Sequence, residues 1–403
     1  MIEYIENNTA LGIKYNWSLI KKEWKKLEKY FKKLGVSDVV LNPLDFDVWK
    51  YVYNIFLSER SRGKTTNFLL LGLIFNKLYG TVIQYIRQTE DDIKASNLQL
   101  LFDVIISNHY VEFLTDGEYN TIIYNASRFY YAYVENNEIK RKASKSICNV
   151  LSIQKQQDIK STYNCPLGDF IIFDEFISNA YYKNEFSEFM RLLKTIIRER
   201  QSAIIFMLAN SLNVDSDYFH EMEIYETCKI MEQGDTKTVV TEEGTPILIH
   251  ILDKNKSQKR ELQNKKFFGF KGFGMSSITG VTAWQIKEHQ KIKADWNLGK
   301  TIYTVHFYVS CYYTKDIAID IYFCKDLGKL IGVAHWATKN FRYNYIYVND
   351  DTFMYDKRYH YYYSNNNKID KIVKQLFDAN LVFYKTNDCK TALNRFFCKI
   401  KSR

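Results

Sequence analysis

The chain has 403 residues, enough for two or three domains that each bury a core. Its 46% hydrophobic, 16% aromatic and 25% charged residues, with three prolines, exclude a disordered polymer and describe an ordinary globular protein. A formal charge of +10 fits either a solvated surface excess or a polyanion partner, whose counterions clustered lysines and arginines would release. The seven cysteines are scattered, with no CxxC pair, which argues against a disulfide framework or a structural zinc site. The N-terminal stretch MIEYIENNTALGIKYNW lacks the form of a signal peptide, and no apolar run approaches the ~18 residues of a membrane span. The expectation is a soluble cytoplasmic protein with no membrane partner.

In chain order, the first pattern is WSLIKKEWKKLEKYFKKL (17–34). It places Trp17, Ile20, Trp24, Leu27 and Phe31 at helical spacing with lysines between. Such a basic amphipathic helix can lie on a membrane or on nucleic acid, and more often packs its apolar face on its own domain. From 51 to about 210, the apolar strands YVYNIFL (51–57), TVIQYIR (81–87), FIIF (170–173) and AIIFMLA (203–209) alternate with helical runs such as Thr65–Leu78 and Asn184–Arg200. This alternation predicts an α/β domain whose parallel sheet is covered by helices on both faces. The basic, glycine-punctuated stretch 253–274 reads as a linker. Beyond it, strands at 301–313, 316–325, 329–336 and 343–348 precede helices at 368–379 and 389–400, an α+β pattern. The predicted division is a domain over 1–252, a linker over 253–297 and a C-terminal domain over 298–403.

Between the first strand and helix stands Ser58-Glu59-Arg60-Ser61-Arg62-Gly63-Lys64-Thr65, followed by Thr66. It has the length of a phosphate-binding loop, in which backbone N–H groups curl around a phosphate, the lysine reaches the outer phosphates and the Thr hydroxyl faces Mg²⁺. Ser58 departs from the leading glycine of GxxxxGK[ST]. A second element strengthens the reading. DFIIFDEF (169–176) is an apolar strand ending in Asp174-Glu175, the arrangement of a Walker B metal aspartate followed by a glutamate that acts as general base on water. A third strand ends in Ala209-Asn210-Ser211, where Asn210 either senses the outer phosphate or caps the following segment. Arg198 and Arg200 close the helix LLKTIIRERQS; there, an arginine either suits the helix dipole or enters a neighbouring subunit's site.

Arg60, Gly63-Lys64-Thr65, IIFDEF, LLKTIIRER and LANS together resemble the genome-packaging ATPases of tailed bacteriophages, the large-terminase-like motors, and above all those of φ29-like phages. Their phosphate loops often lack the leading glycine and carry an early arginine, which Arg60 matches. The resemblance is specific over about 45–215 and fainter beyond; the segment before residue 40 does not align. It implies an additional-strand, catalytic-glutamate P-loop ATPase fold, then a small linker domain and a C-terminal RNase H-like domain. It makes ATP and Mg²⁺ the cofactors, with Lys64, Thr65 and Asp174 as phosphate and metal ligands and Glu175 as the catalytic glutamate. Asn210 falls in the coupling motif, and Arg198, ahead of Arg200, is the trans-acting arginine finger. Lys160 is implied to reach a neighbour or DNA, and Arg87 to lie near the nucleotide.

The implied assembly is a homo-oligomeric ring, a pentamer, docked on the portal of a procapsid in the host cytoplasm and absent from the mature virion. It would drive double-stranded DNA inward, in φ29-like phages with a structural packaging RNA. Lys254, Lys256, Lys259, Arg260, Lys265, Lys266 and Lys271 of the linker are candidates for DNA phosphate contacts. Arg141 and Lys142, in the run KRKASKS, are candidates too, although such a run is by default a solvated turn. A working nuclease needs converging carboxylates. The opening strand Tyr303–Val309 holds none, and Asp316, Asp320, Asp350 and Asp351 read as strand-end or turn acids, so the C-terminal domain is expected not to cut. His220, with Glu221 and Glu223, has no metal spacing and reads as structural. A helicase or replication initiator, an adaptor with a degenerate site, and a terminase with an active nuclease are the rival readings.

Overall fold

The computed structural model describes residues 15–33, 41–58, 63–155, 163–177, 185–200, 202–210, 216–252, 301–307, 317–326, 329–336, 345–347, 368–379, 381–384 and 393. These form two compact units, one holding the described residues up to Leu252 apart from Ser216, the other those from Thr301. The expected linker, 253–297, lies outside them, as does the expected helix 389–400 apart from Leu393.

In the first unit, helix α1 (Trp17–Lys33) buries Ile20, Trp24, Leu27 and Phe31, as its spacing requires. Strand β1 (Tyr53–Leu57) leads to α2 (Lys64–Tyr79), which is apolar nearly all round and lies in the core. The edge of Trp17 meets Phe75 of α2 at 5.4 Å between ring centroids, and Tyr30 of α1 stacks on Phe113 at 4.7 Å. Helix α1 is therefore built into this core. Strand β2 (Ile83–Arg87) follows, then the short helices α3 (Ala95–Leu98), α4 (Asp103–Ser107) and α5 (Tyr110–Leu114).

Next come β3 (Thr121–Asn125), β4 (Arg128–Glu135), β5 (Glu138–Lys142) and β6 (Cys148–Ser152), then β7 (Phe170–Asp174), α6 (Glu185–Ile197) and β8 (Ile204–Ala209). Two short helices, α7 (Asp217–Glu221) and α8 (Tyr225–Ile230), precede the hairpin of β9 (Thr236–Val240) and β10 (Pro246–Ile251).

These strands form one sheet in the order β3-β4-β6-β2-β7-β8-β1-β10-β9, with β5 paired to β4. From β6 to β10 all neighbours are parallel; β4 joins β6, and β9 joins β10, antiparallel. The parallel strands are buried runs because helices cover them. The antiparallel extension β3–β5 was not expected. Its two-residue turns, Ala126-Ser127 and Asn136-Asn137, all have positive φ, the conformation that suits the twist of hairpin strands. Arg141 and Lys142, expected in a turn, stand on exposed β5, because this hairpin carries the chain along the sheet edge.

Helix α2 crosses the sheet closely at Gly72, where a Cβ would lie 2.6 Å from the Ile83 side chain and 3.1 Å from Phe170. The second unit is a sheet ordered β14-β11-β12-β13-β15: β11 (Thr301–Phe307), β12 (Ile317–Asp326) and β13 (Lys329–Trp336) form an antiparallel meander. Strand β14 (Tyr345–Tyr347) runs parallel to β11, and β15 (Val382–Tyr384), after helix α9 (Lys368–Asp378), runs parallel to β13. Asp320 is not at a strand end: β12 extends past it, in register with Thr304 and His335. Asp316, Asp350 and Asp351 lie outside the described residues.

Overpacking a close helix–sheet crossing costs about 1–3 kcal/mol. Gly72→Val is expected to lower the thermal unfolding midpoint accordingly, as measured by calorimetry.

Candidate nucleotide site

Parallel register brings four strand ends to one edge. Leu57 of β1 is level with Ala209 of β8, Asp174 of β7 with Leu208, and Ile86 of β2 with Phe173. Ser58, Arg87, Asp174 and Asn210 thus emerge together at the carboxyl edge, where open α/β sheets bind ligands. Strand β8 lies between β1 and β7, the additional-strand order that the sequence resemblance implied.

Gly63 turns the chain into α2 with φ +69°, a left-handed conformation suited to glycine, and its carbonyl accepts the Asn67 N–H at 2.9 Å. Buried Lys64 donates to the Ser58 hydroxyl and, at 2.8 Å, to Asn210 Oδ1. Ser58 is itself buried, and its backbone N–H donates to the Ala209 carbonyl. At the position of the expected glycine, its hydroxyl thus serves the lysine. Thr66 lies partly buried in the first turn of α2. Glu59, Arg60, Ser61 and Arg62 lie outside the described residues.

Asp174 is the centre of the cluster. Its Oδ2 accepts from the Thr65 hydroxyl at 2.9 Å and from the Tyr85 phenol at 2.8 Å, and the Arg87 guanidinium stands 3.7 Å away. Burial pushes the Asp174 carboxyl above the ordinary aspartate range, although Arg87, Tyr85 and Thr65 each pull it down. Burial, then the Asp174 charge, pushes the Tyr85 phenol well up, so Tyr85 remains a donor. For Arg87, burial opposes the charge, but Tyr85, Glu175 and Asp174 outweigh it and hold the guanidinium protonated. The Thr65 and Asp174 oxygens form a hard donor set that suits Mg²⁺, beside a buried ammonium that suits phosphate.

Glu175 has φ +54°, a left-handed conformation that costs a non-glycine residue energy. The next residue is held on both sides: the Phe176 N–H donates to the Leu208 carbonyl at 3.2 Å, and its carbonyl accepts from the buried Gln88 amide at 2.7 Å. The Glu175 carboxylate, 46% exposed, pairs with Arg87 at 2.6 Å and stands 3.4 Å from the Asn210 amide. The expected residues Lys64, Thr65, Arg87, Asp174, Glu175 and Asn210 therefore meet in one place. Tyr85 and Gln88 were not foreseen. Each carries a polar group on an apolar strand or at its end, a signal shared by many core residues.

Arg198 and Arg200 lie elsewhere. Helix α6 runs back to the amino edge, where Arg200 pairs at 3.0 Å with Asp169, whose side chain is 1% exposed. Arg200 also donates to the carbonyls of Cys165, Gly168 and Ile196, so it is committed to its own chain. Arg198, with φ +52°, is exposed and donates to the Tyr163 carbonyl. Lys160 and the lysines and arginine of the linker lie outside the described residues. Arg141 lies over Tyr119 and Tyr133, 5.3 and 5.6 Å from the ring centres, and Lys142 over Tyr130 at 4.1 Å. His220 stacks on Tyr225 at 4.2 Å.

No protein-family model matches the chain, and no curated protein matches it. Solved structures do share its fold. The Phi-28 gp11 DNA packaging motor aligns at 18% identity with a TM-score of 0.52, over 91% of this chain and 99% of its own. The bacteriophage Phi-29 viral genome packaging motor assembly aligns at 16% identity with a TM-score of 0.54, over 89% of this chain and 99% of its own. The fold shared with both is mixed α/β with a large, mostly parallel sheet.

Removing one partner of a buried ion pair costs about 3–5 kcal/mol, whereas an exposed side chain costs under ~1 kcal/mol. Chemical denaturation is expected to show Arg200→Met strongly destabilised and Arg198→Ala close to the parent.

Proposed function

We propose that this chain is an ATP-driven motor that moves double-stranded DNA into a preformed phage procapsid, hydrolysing ATP at sites shared between ring neighbours. The observation that carries the reading is the meeting of Lys64-Thr65 with Asp174-Glu175 across strand β8. The two packaging motors that share the fold along nearly all of the chain support it.

Lys64 and the N–H groups at the start of α2 grip the outer phosphates of ATP. Thr65 and Asp174 hold Mg²⁺, which when bound neutralises charge on the phosphate oxygens. Glu175 orients a water and takes its proton. In the structure its carboxylate is paired with Arg87, so it must leave that pair to act as base. Asn210 bonds Lys64 and stands within reach of Glu175, and so can pass the state of the phosphate site to the base. Ser58, Glu59, Arg60, Ser61, Arg62 and Gly63 form the loop around the phosphates.

In this reading Arg198, which is exposed at the sheet edge opposite its own Asp174, serves a neighbour's site. Arg200 fixes the turn beside it. Lys160, three positions before Tyr163 in the sequence, reaches a neighbour's site or the DNA. The ring is a pentamer on the portal in the host cytoplasm. The linker lysines, with Arg141 and Lys142, hold DNA by its phosphates without reading sequence. The second unit takes the place of an RNase H-like domain that binds portal, packaging RNA or DNA and does not cut.

Loss of a general base lowers turnover by about 10²–10⁴-fold, and loss of an arginine finger by about 10³–10⁵-fold. Glu175→Gln and Arg198→Ala should each abolish DNA-stimulated hydrolysis. Mixing the two inactive proteins should restore part of it, because some interfaces then pair an intact Glu175 with an intact Arg198. Turnover indifferent to both substitutions, or no recovery on mixing, would contradict the assignment.

A further inference from the structure

Helix α1 has a second face that the nucleotide site does not use. With Ile20, Trp24, Leu27 and Phe31 buried, Lys22, Lys25, Lys26, Lys29 and Lys33 are exposed. At 3.6 residues per turn these lysines fall within about 100° of one another, opposite the buried stripe. Of these lysines the acids of α1 neutralise only Lys26. Glu23 is buried and paired with Lys26 alone at 2.5 Å, while Glu28 accepts from Trp24 and Asn42 at 3.0 and 3.1 Å. Lys22, Lys25, Lys29 and Lys33 have no ion pair among the described residues.

We propose that this lysine row is a contact surface for the phosphate backbone of duplex DNA. From Lys22 to Lys33 it runs ~16 Å along the helix, a length over which a duplex presents about ten phosphates. The apolar face of α1 is buried in the core, which leaves nothing to insert into a lipid surface. No aromatic side chain of the helix stands fully exposed, so bases are not stacked, and lysine is a point charge that grips phosphate without reading sequence. The choice of DNA rests on the motor reading; the surface itself does not.

The test uses the full chain with Lys22, Lys25, Lys29 and Lys33 all changed to glutamine, which keeps helix propensity and removes charge. Binding of a short labelled duplex DNA, and of the same sequence as duplex RNA, is followed by anisotropy across a salt series. Each phosphate neutralised contributes about 0.9 to the slope of log affinity against log salt, so the DNA slope should flatten by roughly 3–4. Hydrolysis of ATP without DNA should equal that of the parent. An unchanged DNA slope would overturn the proposal, and so would a loss confined to RNA. If neither protein hydrolyses ATP, the motor reading fails while the DNA slope still decides the surface.

Discussion

The Asp174 carboxylate is buried, and the site is arranged around that fact. Taking a charge out of water costs several kcal/mol unless nearby groups replace the lost hydration. Here the Thr65 hydroxyl, the Tyr85 phenol and, further off, the Arg87 guanidinium do so, and they come from α2 and β2. Those donors can reach one oxygen only if β2 borders β7 and α2 begins at the same sheet edge. The strand order, the glycine turn at Gly63 and the close crossing at Gly72 all serve that meeting.

The same segment of β2 fixes the next two residues. Tyr85 holds Asp174, Arg87 holds Glu175, and Gln88 holds the Phe176 carbonyl. Glu175 therefore keeps a costly positive φ because its neighbours leave the chain little choice. Its carboxylate is exposed and charge-paired, while Asp174 is buried and hydrogen-bonded. Two adjacent acids so differently placed are suited to different tasks, one to hold a cation and one to move a proton.

Much of this was legible in the sequence. Strands β1, β2, β7 and β8 are short apolar runs rich in β-branched and aromatic residues, and the loop and Asp-Glu pair sit at their ends. Strands β3 to β5 were not legible. Strands β3 and β4 carry tyrosines and are only half-buried, β5 (EIKRK) is exposed throughout, and the first turn uses Ala126-Ser127, without the glycine that marks most such turns. Asn136-Asn137 was an available signal. Tyr85 looked like any core aromatic, because its role depends on which strand lies beside β2. Arg198 and Arg200 stand two positions apart at one helix end, and only the turn over 163–169 separates them: it binds Arg200 through the Asp169 carboxylate and the Cys165 and Gly168 carbonyls, and meets the exposed Arg198 at the Tyr163 carbonyl alone.

The described residues of the site all lie in the first unit, so the proposed motor needs hydrolysis there to be linked to DNA movement. The most direct measurement is nuclease protection of DNA incubated with portal-bearing procapsids, ATP and either the parent chain or Lys64→Ala. Protected DNA is expected only with ATP and the parent protein. Protection without ATP, or equal protection with Lys64→Ala, would contradict it.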